Sequence, residues 1–290
     1  MSVVGAQHSV GSVRRTHFVD DVVNAEMAAN GFAVLPERLD RARVGALLAL
    51  YEGVRDEVGR DASGSFMPSM MIQRSDLRAK LWDGVRELLE PVVAPMFTPG
   101  TTEVIGGSFV SKPAAPNSAR NPHQDPSVFD ETVHVSISMW IPLMDSDEDN
   151  GTLWLLPGSH LMGNHIRPPD VDSLDEEVRQ VALETSVPVE LPAGSVLVID
   201  GAVVHHSPPN ETDRERIAAI GALKPAGSGM WYAKSDHGSP TGVAEIHDVG
   251  VGLYRSGDLV NPDLDPATLV SRTPYRPASR ADLDASFAAR

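Results

Sequence analysis

The triplet His123-Gln124-Asp125 places an imidazole and a carboxylate two positions apart, in a polar loop between Pro122 and Pro126. Proline restricts its own backbone and that of the preceding residue, so this loop suits a rigid, preorganised site better than a helix. Taken alone, such a polar triplet is more often solvated surface than a binding site. Its meaning therefore depends on which other ligands the chain supplies.

A second histidine, His205, follows the apolar run at residues 196–199 and a short turn. A histidine where a buried strand meets a polar loop is well placed to reach a site inside the fold. Two imidazole nitrogens and one carboxylate oxygen can occupy one face of a metal ion and leave the other positions open. His123, Asp125 and His205 are therefore predicted to hold the metal of a mononuclear non-haem iron oxygenase.

The composition of the chain narrows the alternatives. Its 290 residues include no cysteine, which excludes thiolate ligands, iron-sulfur clusters and disulfides. Forty acidic against 24 basic residues give a formal charge of −16, which disfavours phosphate backbones and anionic membranes as partners. No bilayer-spanning run or signal peptide is visible. We expect a cytoplasmic protein with a small-molecule substrate and without nucleic-acid or membrane partners, and its oligomeric state stays open.

The pattern of apolar residues predicts one domain over residues 1–290, mainly β with supporting helices. Residues 1–18 are expected to be a loose arm, 19–98 mainly helical, 99–225 a β core, and 226–290 an irregular C-terminal extension. Helices are predicted at residues 20–30, 40–58 and 75–91, with a surface helix or lid at 170–184. Strands are predicted at residues 32–35, 66–73, 103–112, 133–143, 152–156, 187–191, 196–199, 203–206 and 217–224.

The predicted strand at residues 133–143 has two different faces. Alternation puts five apolar residues on one face, which should belong to the core: Val133, Val135, Ile137, Met139 and Ile141. The opposite face carries His134, Ser136, Ser138 and Trp140. Because barrels bind ligands inside their mouths, this second face is expected to line a cavity. His134 and Ser138 are therefore candidate substrate-pocket residues.

Four further motifs follow the same order along the chain as in one known family. They are Trp140-Ile141-Pro142-Leu143, then Asn150-Gly151-Thr152-Leu153-Trp154-Leu155-Leu156-Pro157-Gly158-Ser159-His160, then His205-His206-Ser207-Pro208-Pro209-Asn210, and finally Arg216, eleven residues after the histidine. With His123-Gln124-Asp125, they make residues 20–225 resemble the phytanoyl-CoA dioxygenase family of iron(II)- and 2-oxoglutarate-dependent oxygenases. Several ordered matches are far more specific than any one of them.

The resemblance implies a double-stranded β-helix, the cupin-like jelly roll, with helices supporting one sheet. It assigns His123, Asp125 and His205 to Fe(II), with 2-oxoglutarate and O2 as cosubstrates. A guanidinium can clamp the distal carboxylate of 2-oxoglutarate with two hydrogen bonds, a role that falls to Arg216, with Arg214 as its competitor.

Four other residues take roles from the resemblance. Ser207 would assist the same carboxylate, and Trp140 would lie near the cosubstrate. Gln73, on the predicted strand at residues 66–73, would add a further contact to it. His206 stands where the family often has glycine or another residue, and it would line the substrate pocket.

The resemblance implies that 2-oxoglutarate is decarboxylated to succinate and CO2 while an unactivated C–H bond of a small organic molecule is oxidised, as in a biosynthetic tailoring step. Since Asp125 keeps the carboxylate ligand, hydroxylation is favoured over halogenation, while desaturation, epoxidation and ring formation stay open. A cupin-like metal-binding or sensory module without turnover is the alternative. A metal hydrolase ranks last, because no general base is evident near the triad.

Overall fold

The computed structural model describes residues 17–56, 67–163, 165–236 and 239–289. Most of the predicted loose arm, residues 1–16, lies outside the described residues. Phe18, at the end of that arm, is buried, and its ring lies 4.9 Å from that of Phe97. The chain is therefore anchored to the core from Phe18 onward.

The helices and strands alternate irregularly along the chain. In chain order they are α1 (Asp21–Asn30), β1 (Phe32–Arg38), α2 (Arg41–Glu52), β2 (Met67–Pro68), α3 (Ser75–Val93), β3 (Thr102–Lys112), β4 (Arg120–His123), β5 (Ile137–Pro142), β6 (Leu153–Leu155), α4 (Glu176–Thr185), β7 (Val187–Val189), β8 (Ser195–Asp200), β9 (His205–Ser207), β10 (Arg216–Pro225), β11 (Trp231–Lys234), β12 (Gly242–Asp248), α5 (Gly250–Ser256), β13 (Leu269–Tyr275) and α6 (Arg280–Ala288). None of the described helices is long and apolar enough to cross a bilayer.

Two antiparallel sheets form the β core. The larger has the strand order β1-β8-β5-β10-β3-β2, and the smaller has the order β4-β9-β6-β7. One buried cluster combines side chains from strands of both sheets, so the two sheets pack face to face: Trp140, Leu155, Leu197, Ile199, Val203 and Ala218. This arrangement agrees with the predicted jelly roll.

The outer face of the larger sheet is covered by α1, α2 and α3. Val23, Leu47 and Val85 of these helices are buried in one core with Met139 of β5. The predicted alternation in β5 is therefore correct, because Val135, Ile137 and Ile141 join this core while Trp140 faces the other sheet. The predicted strand begins too early, since the amides of Val133 and His134 donate to Asp130 in a turn and leave Val133 62% exposed.

Local capping explains where α1 begins and ends. The side chain of Asp20 accepts hydrogen bonds from the amides of Val22 and Val23, which have no partner within the helix. Gly31 ends the helix with φ +83°, a conformation that suits glycine, and its amide donates to Met27. The chain then turns directly into β1.

Three predicted boundaries in the first hundred residues differ from the structure. Helix α2 ends at Glu52, since Gly53 opens a turn in which the amide of Val54 donates to Tyr51. Strand β1 continues to Arg38 instead of residue 35. Phe66 of the predicted strand 66–73 lies outside the described residues, and among residues 67–73 only β2 is a strand. Pro68 has no amide hydrogen, and the Ser69 hydroxyl accepts a hydrogen bond from the amide of Phe109 in β3. A 3-10 turn at Ser69–Met71 therefore replaces further strand pairing with β3.

The prediction of an irregular C-terminal extension is wrong. Strands β11, β12 and β13 form an antiparallel sheet, and α5 and α6 flank it. Its buried side chains, Ala244, Ile246 and Tyr275, pack with Ile166 and Val171 from a distant part of the chain. Because these contacts join residues far apart in the sequence, they could not be predicted from the local pattern of apolar residues. The capping box of Ser279 with Asp282 at the start of α6 was the readable local signal.

We expect Gly31→Ala to lower the free energy of unfolding by about 3 kcal/mol, from the left-handed backbone and overpacking. A Cβ at Gly31 would lie 2.4 Å from Cγ2 of Val203 and 2.6 Å from Nδ1 of His160. Urea denaturation measures the change. The control is Gly45→Ala in α2, where a Cβ meets nothing within 4 Å, and we expect it to stabilise by about 0.5–1 kcal/mol. Equal effects at the two sites would contradict this account of Gly31.

Candidate metal centre

The predicted ligands His123, Asp125 and His205 come together in the structure. His123 of β4 and His205 of β9 are direct cross-strand partners, and their ring centroids are 4.3 Å apart. Asp125 follows β4, and its Oδ1 lies 3.8 Å from Nε2 of His205. One ligand atom from each residue falls within 4.8 Å of the others. This spacing allows one ion to be held by all three.

Hydrogen bonds orient both imidazoles. Nδ1 of His123 donates to the carbonyl of Asn121 at 2.8 Å, and Nδ1 of His205 donates to that of Val203 at 3.0 Å. With Nδ1 protonated, Nε2 of each ring is left as the free ligand atom. Burial, and then the neighbouring His205, hold the pKa of His123 well below its ordinary value. His123 is therefore neutral near pH 7, as a metal ligand must be.

The loop that carries Asp125 is tied to the turn between β8 and β9. The amide of Asp125 donates to the carbonyl of Gly201 at 2.9 Å, and Nε2 of Gln124 donates to that of Ala202 at 2.6 Å. The amide of Gln124 also donates to the hydroxyl of Ser173 at 2.9 Å. Asp125 is thus fixed to the chain segment that leads to His205.

Arg216 is a buried cation with an incomplete set of partners. It is 1% exposed, and among the described residues its Nε and Nη1 have no hydrogen-bond acceptor. Burial lowers its pKa to about 10, and its Cζ lies 5.4 Å from the ring centroid of Trp140. The competitor Arg214 has a side chain that is 90% exposed. Of the two arginines, only Arg216 is therefore buried inside the fold.

Lys112 is an important residue that the sequence interpretation missed. It is the direct partner of Arg216 across β3 and β10 and is fully buried. Its ammonium donates to the carbonyls of Ser118, Ser207 and Pro208. Burial, and then Arg216, lower its pKa to about 7. Lys112 thus ties the segment before β4 to the segment after β9, the two strands that carry the histidines. Its position at the end of a mainly apolar strand was the available signal.

Four other predicted site residues lie in or just before strands of the β core: Trp140, Ser138, His134 and Ser207. Trp140 and Ser138 share one face of β5, directed at the smaller sheet, as two-residue spacing requires. His134 is partly buried in the turn before β5. Ser207 is buried, and its hydroxyl donates to the carbonyl of Gly151 at 2.8 Å. Because a hydroxyl has one proton, Ser207 would have to rotate before it could donate to a carboxylate.

Two predicted site residues are placed away from the cluster. His206 follows His205 in β9 and so points to the opposite face, where its ring lies 5.8 Å from that of Trp154 and bonds the backbone of Ala182. Gln73 is exposed, and its amide donates to the carbonyl of Met71. These placements speak against a pocket role for His206 and a cosubstrate contact for Gln73.

The fold and the cluster define a jelly-roll protein with a candidate mononuclear site of two histidines and one carboxylate. The family model described as Phytanoyl-CoA dioxygenase (PhyH) matches residues 27–218. The chain therefore belongs to the phytanoyl-CoA dioxygenase family, which confirms the predicted family.

The curated relatives match a limited part of their own length. Phytanoyl-CoA dioxygenase domain-containing protein 1 of Bos taurus is 35% identical over 120 residues, which cover 38% of this chain and 40% of the relative. Phytanoyl-CoA dioxygenase of Arabidopsis thaliana is 34% identical over 100 residues, covering 33% of this chain and 35% of that relative.

Solved structures share the fold at low sequence identity. The non-heme alpha ketoglutarate dependent carbocyclase SnoK from nogalamycin biosynthesis has a TM-score of 0.56 and 18% identity, covering 93% of this chain and 100% of SnoK. The epimerase SnoN, in complex with Fe3+, alpha ketoglutarate and nogalamycin RO, has a TM-score of 0.51 and 19% identity, covering 72% of this chain and 85% of SnoN. These likenesses confirm the predicted jelly roll.

We expect the metal-free protein to bind one Co(II) ion per chain. Asp125→Ala should weaken this binding by at least about 100-fold, since it removes the anionic ligand, and loss of an outer-shell partner alone costs about 10- to 100-fold. Isothermal titration calorimetry measures both. Asp213→Ala, at a side chain that is 95% exposed, is the control and should bind as wild type does. Equal affinity of Asp125→Ala and the control would remove Asp125 from the site.

Proposed function

We propose that the protein is an Fe(II)- and 2-oxoglutarate-dependent oxygenase that oxidises an unactivated C–H bond of a small organic molecule. The observation that carries the proposal is the buried Arg216 guanidinium with unfilled donors, inside the same jelly roll as His123, Asp125 and His205. A metal triad alone is compatible with several chemistries. A buried cation that can bind an anionic cosubstrate reduces the number of reactions that fit the site.

The energetics of Arg216 favour a carboxylate ligand. A buried charge without a partner is unfavourable. Removing one partner of a buried ion pair typically lowers the stability of a protein by about 3–5 kcal/mol. The neighbouring Lys112, whose pKa is lowered to about 7, adds a positive charge when it is protonated, and its ammonium then donates to the carbonyls of Ser118, Ser207 and Pro208. A bidentate carboxylate would complete the hydrogen bonds of Arg216 and offset the charge. The distal carboxylate of 2-oxoglutarate has the required charge and planar shape.

The residues of the triad fit ferrous iron. Imidazole and carboxylate suit Fe(II), and three protein ligands on one face leave room for a bidentate cosubstrate. With Fe(II) bound, O2 would be the oxidant for both the substrate and 2-oxoglutarate, and 2-oxoglutarate would leave as succinate and CO2. The chain itself binds and orients: His123, Asp125 and His205 hold the ion, Arg216 holds the far end of the cosubstrate, and Trp140 excludes water beside it.

Apolar side chains follow the metal ligands along the chain. Phe129, four residues after Asp125, is buried in a cluster with Trp82, Met230 and Tyr254. An apolar segment so soon after a metal ligand favours a mainly uncharged organic substrate. We propose hydroxylation or a related oxidation in a biosynthetic tailoring step. That setting is the one named for SnoK, which at this identity shares only the fold.

The competing function is a cupin-like binding or sensory module that holds a metal without turnover. Such a module has no need of a buried guanidinium with unpartnered donors within the same fold. Release of succinate from 2-oxoglutarate in the presence of Fe(II), O2 and candidate substrates separates the two functions. A module without turnover would release none.

We expect anaerobic addition of Fe(II) and 2-oxoglutarate to produce a weak visible charge-transfer band. Arg216→Met should raise the Kd of 2-oxoglutarate in this titration by about 100-fold or more, since it removes a buried charge pair worth about 3 kcal/mol. Co(II) binding should be kept, because no metal ligand changes. The matched control is Arg214→Met, at the exposed arginine two positions away.

The control should leave the band and the Kd unchanged. An absent band in folded wild-type protein that binds metal would overturn the proposed function. An equal Kd for Arg216→Met and Arg214→Met would instead remove Arg216 from the cosubstrate site.

A further inference from the structure

We propose that Arg167 is a positioning residue that fixes the backbone of Asp125 and thereby aims its carboxylate at the metal. This inference rests on the proposed function, since it concerns the same metal centre. Arg167 lies outside every sequence motif named above, in the segment between the Ser159–Leu161 turn and α4. Its side chain is only 2% exposed.

The guanidinium of Arg167 contacts the ligand residue itself. Its Nε donates to the carbonyl of Asp125 at 2.6 Å, and Nη1 donates to that of His165 at 3.1 Å. Nη2 donates to Oε1 of Glu131 at 2.6 Å. One planar group thus joins the start and the end of the chain segment from Asp125 to Glu131. A charged donor also binds a carbonyl more strongly than a neutral donor does.

The backbone of Arg167 adds a second tie to the same segment. The amide of Ser127 donates to the carbonyl of Arg167 at 3.0 Å, and the amide of Arg167 donates to the hydroxyl of Ser127 at 3.2 Å. Pro126, between the two tied residues, restricts the backbone further. The amide side of Asp125 is held separately by Gly201. Both peptide groups of Asp125 are therefore fixed, which sets the direction of its Cα–Cβ bond.

Glu131 is the anion that holds Arg167 in place. It is largely buried, and burial raises its pKa, while the Arg167 guanidinium acts in the opposite direction. The carboxylates of Asp200 and Asp125 also face Glu131 and add to the raising effect. Without Arg167, the buried carboxylates of Glu131 and Asp200 would lie near that of Asp125 with one positive charge fewer to offset them. The ion pair therefore compensates charge as well as fixing geometry.

A merely structural arginine and a positioning arginine predict different measurements. If Arg167 only stabilises the fold, its loss lowers the unfolding free energy and leaves the metal site of the folded fraction intact. If Arg167 aims Asp125, its loss weakens metal binding and alters the coordination geometry in protein that is still folded. Outer-shell partners of metal ligands typically contribute about 10- to 100-fold in affinity.

The experiment uses the full chain loaded with Co(II) in place of iron, because the visible absorption of Co(II) reports coordination geometry. Arg167→Met should raise the Kd of Co(II) by about 10- to 100-fold and shift the visible spectrum. Arg167→Lys, which keeps the charge but lacks the planar fork that reaches Asp125, His165 and Glu131 together, should restore only part of the affinity. Glu131→Gln, which keeps an oxygen acceptor, should lose less affinity than Arg167→Met.

The matched control is Arg179→Met. Arg179 also pairs with a carboxylate, that of Asp172, and also donates to a carbonyl, that of Leu174, but it makes no contact with the triad. This variant should keep the Kd and the spectrum of wild type. Urea denaturation of each metal-free variant gives the stability change, so that affinity is compared among folded proteins.

Wild-type Kd and spectrum in folded Arg167→Met would overturn the inference. If Arg167→Met does not fold, Glu131→Gln and Arg167→Lys decide by the same two measurements, and wild-type values in both would overturn it equally. Failure of wild-type protein to bind Co(II) would be a different result, since it contradicts the proposed metal centre.

Discussion

The pairing of β4 with β9 is the constraint on which the metal centre depends. It puts His123 directly opposite His205, while Arg120 lies opposite Ser207, so β4 has one more residue than β9 between these pairs. Pro122, which has no amide hydrogen, lies in that irregular stretch. A slip of one residue would put His206 opposite His123 and turn His205 to the other face. Only the observed register sets His205 beside both His123 and Asp125.

Strands as short as β4 and β9 do not fix their own register, so neighbouring segments must do it. Lys112 supplies that restraint from the larger sheet, since its ammonium binds Ser118 before β4 and Ser207 and Pro208 in and after β9. The same strand end puts Lys112 beside Arg216. Lys112, which restrains β4 and β9, and Arg216, the proposed cosubstrate clamp, are thus direct cross-strand neighbours in the larger sheet. Keeping Lys112 protonated beside the buried Arg216 costs free energy, which a bound dianion would offset.

The sequence predicts the parts of the site that follow local rules, and it misses those set by packing. Two-residue alternation placed Trp140 and Ser138 on the inner face of β5, and the start of an apolar strand favoured Arg216 over Arg214. The same alternation puts His206 on the opposite face of β9 from His205. The sequence therefore already argued against a pocket role for His206. Lys112 and Arg167 were not predictable in this way, because most of their hydrogen-bond partners are backbone carbonyls, which every residue carries. Such contacts leave no trace in residue types.

The C-terminal sheet was unpredictable for a related reason and acts on the same centre. The amide of Trp231 in β11 donates to the carbonyl of Val128 at 2.8 Å, three residues after Asp125. Ile166, the neighbour of Arg167, packs into the cluster of the C-terminal sheet. The segment after Asp125 is therefore held by Arg167 on one side and by β11 on the other. Residues beyond 218 lie outside the family match. Even so, β11 holds the segment that follows Asp125, a candidate metal ligand within the match.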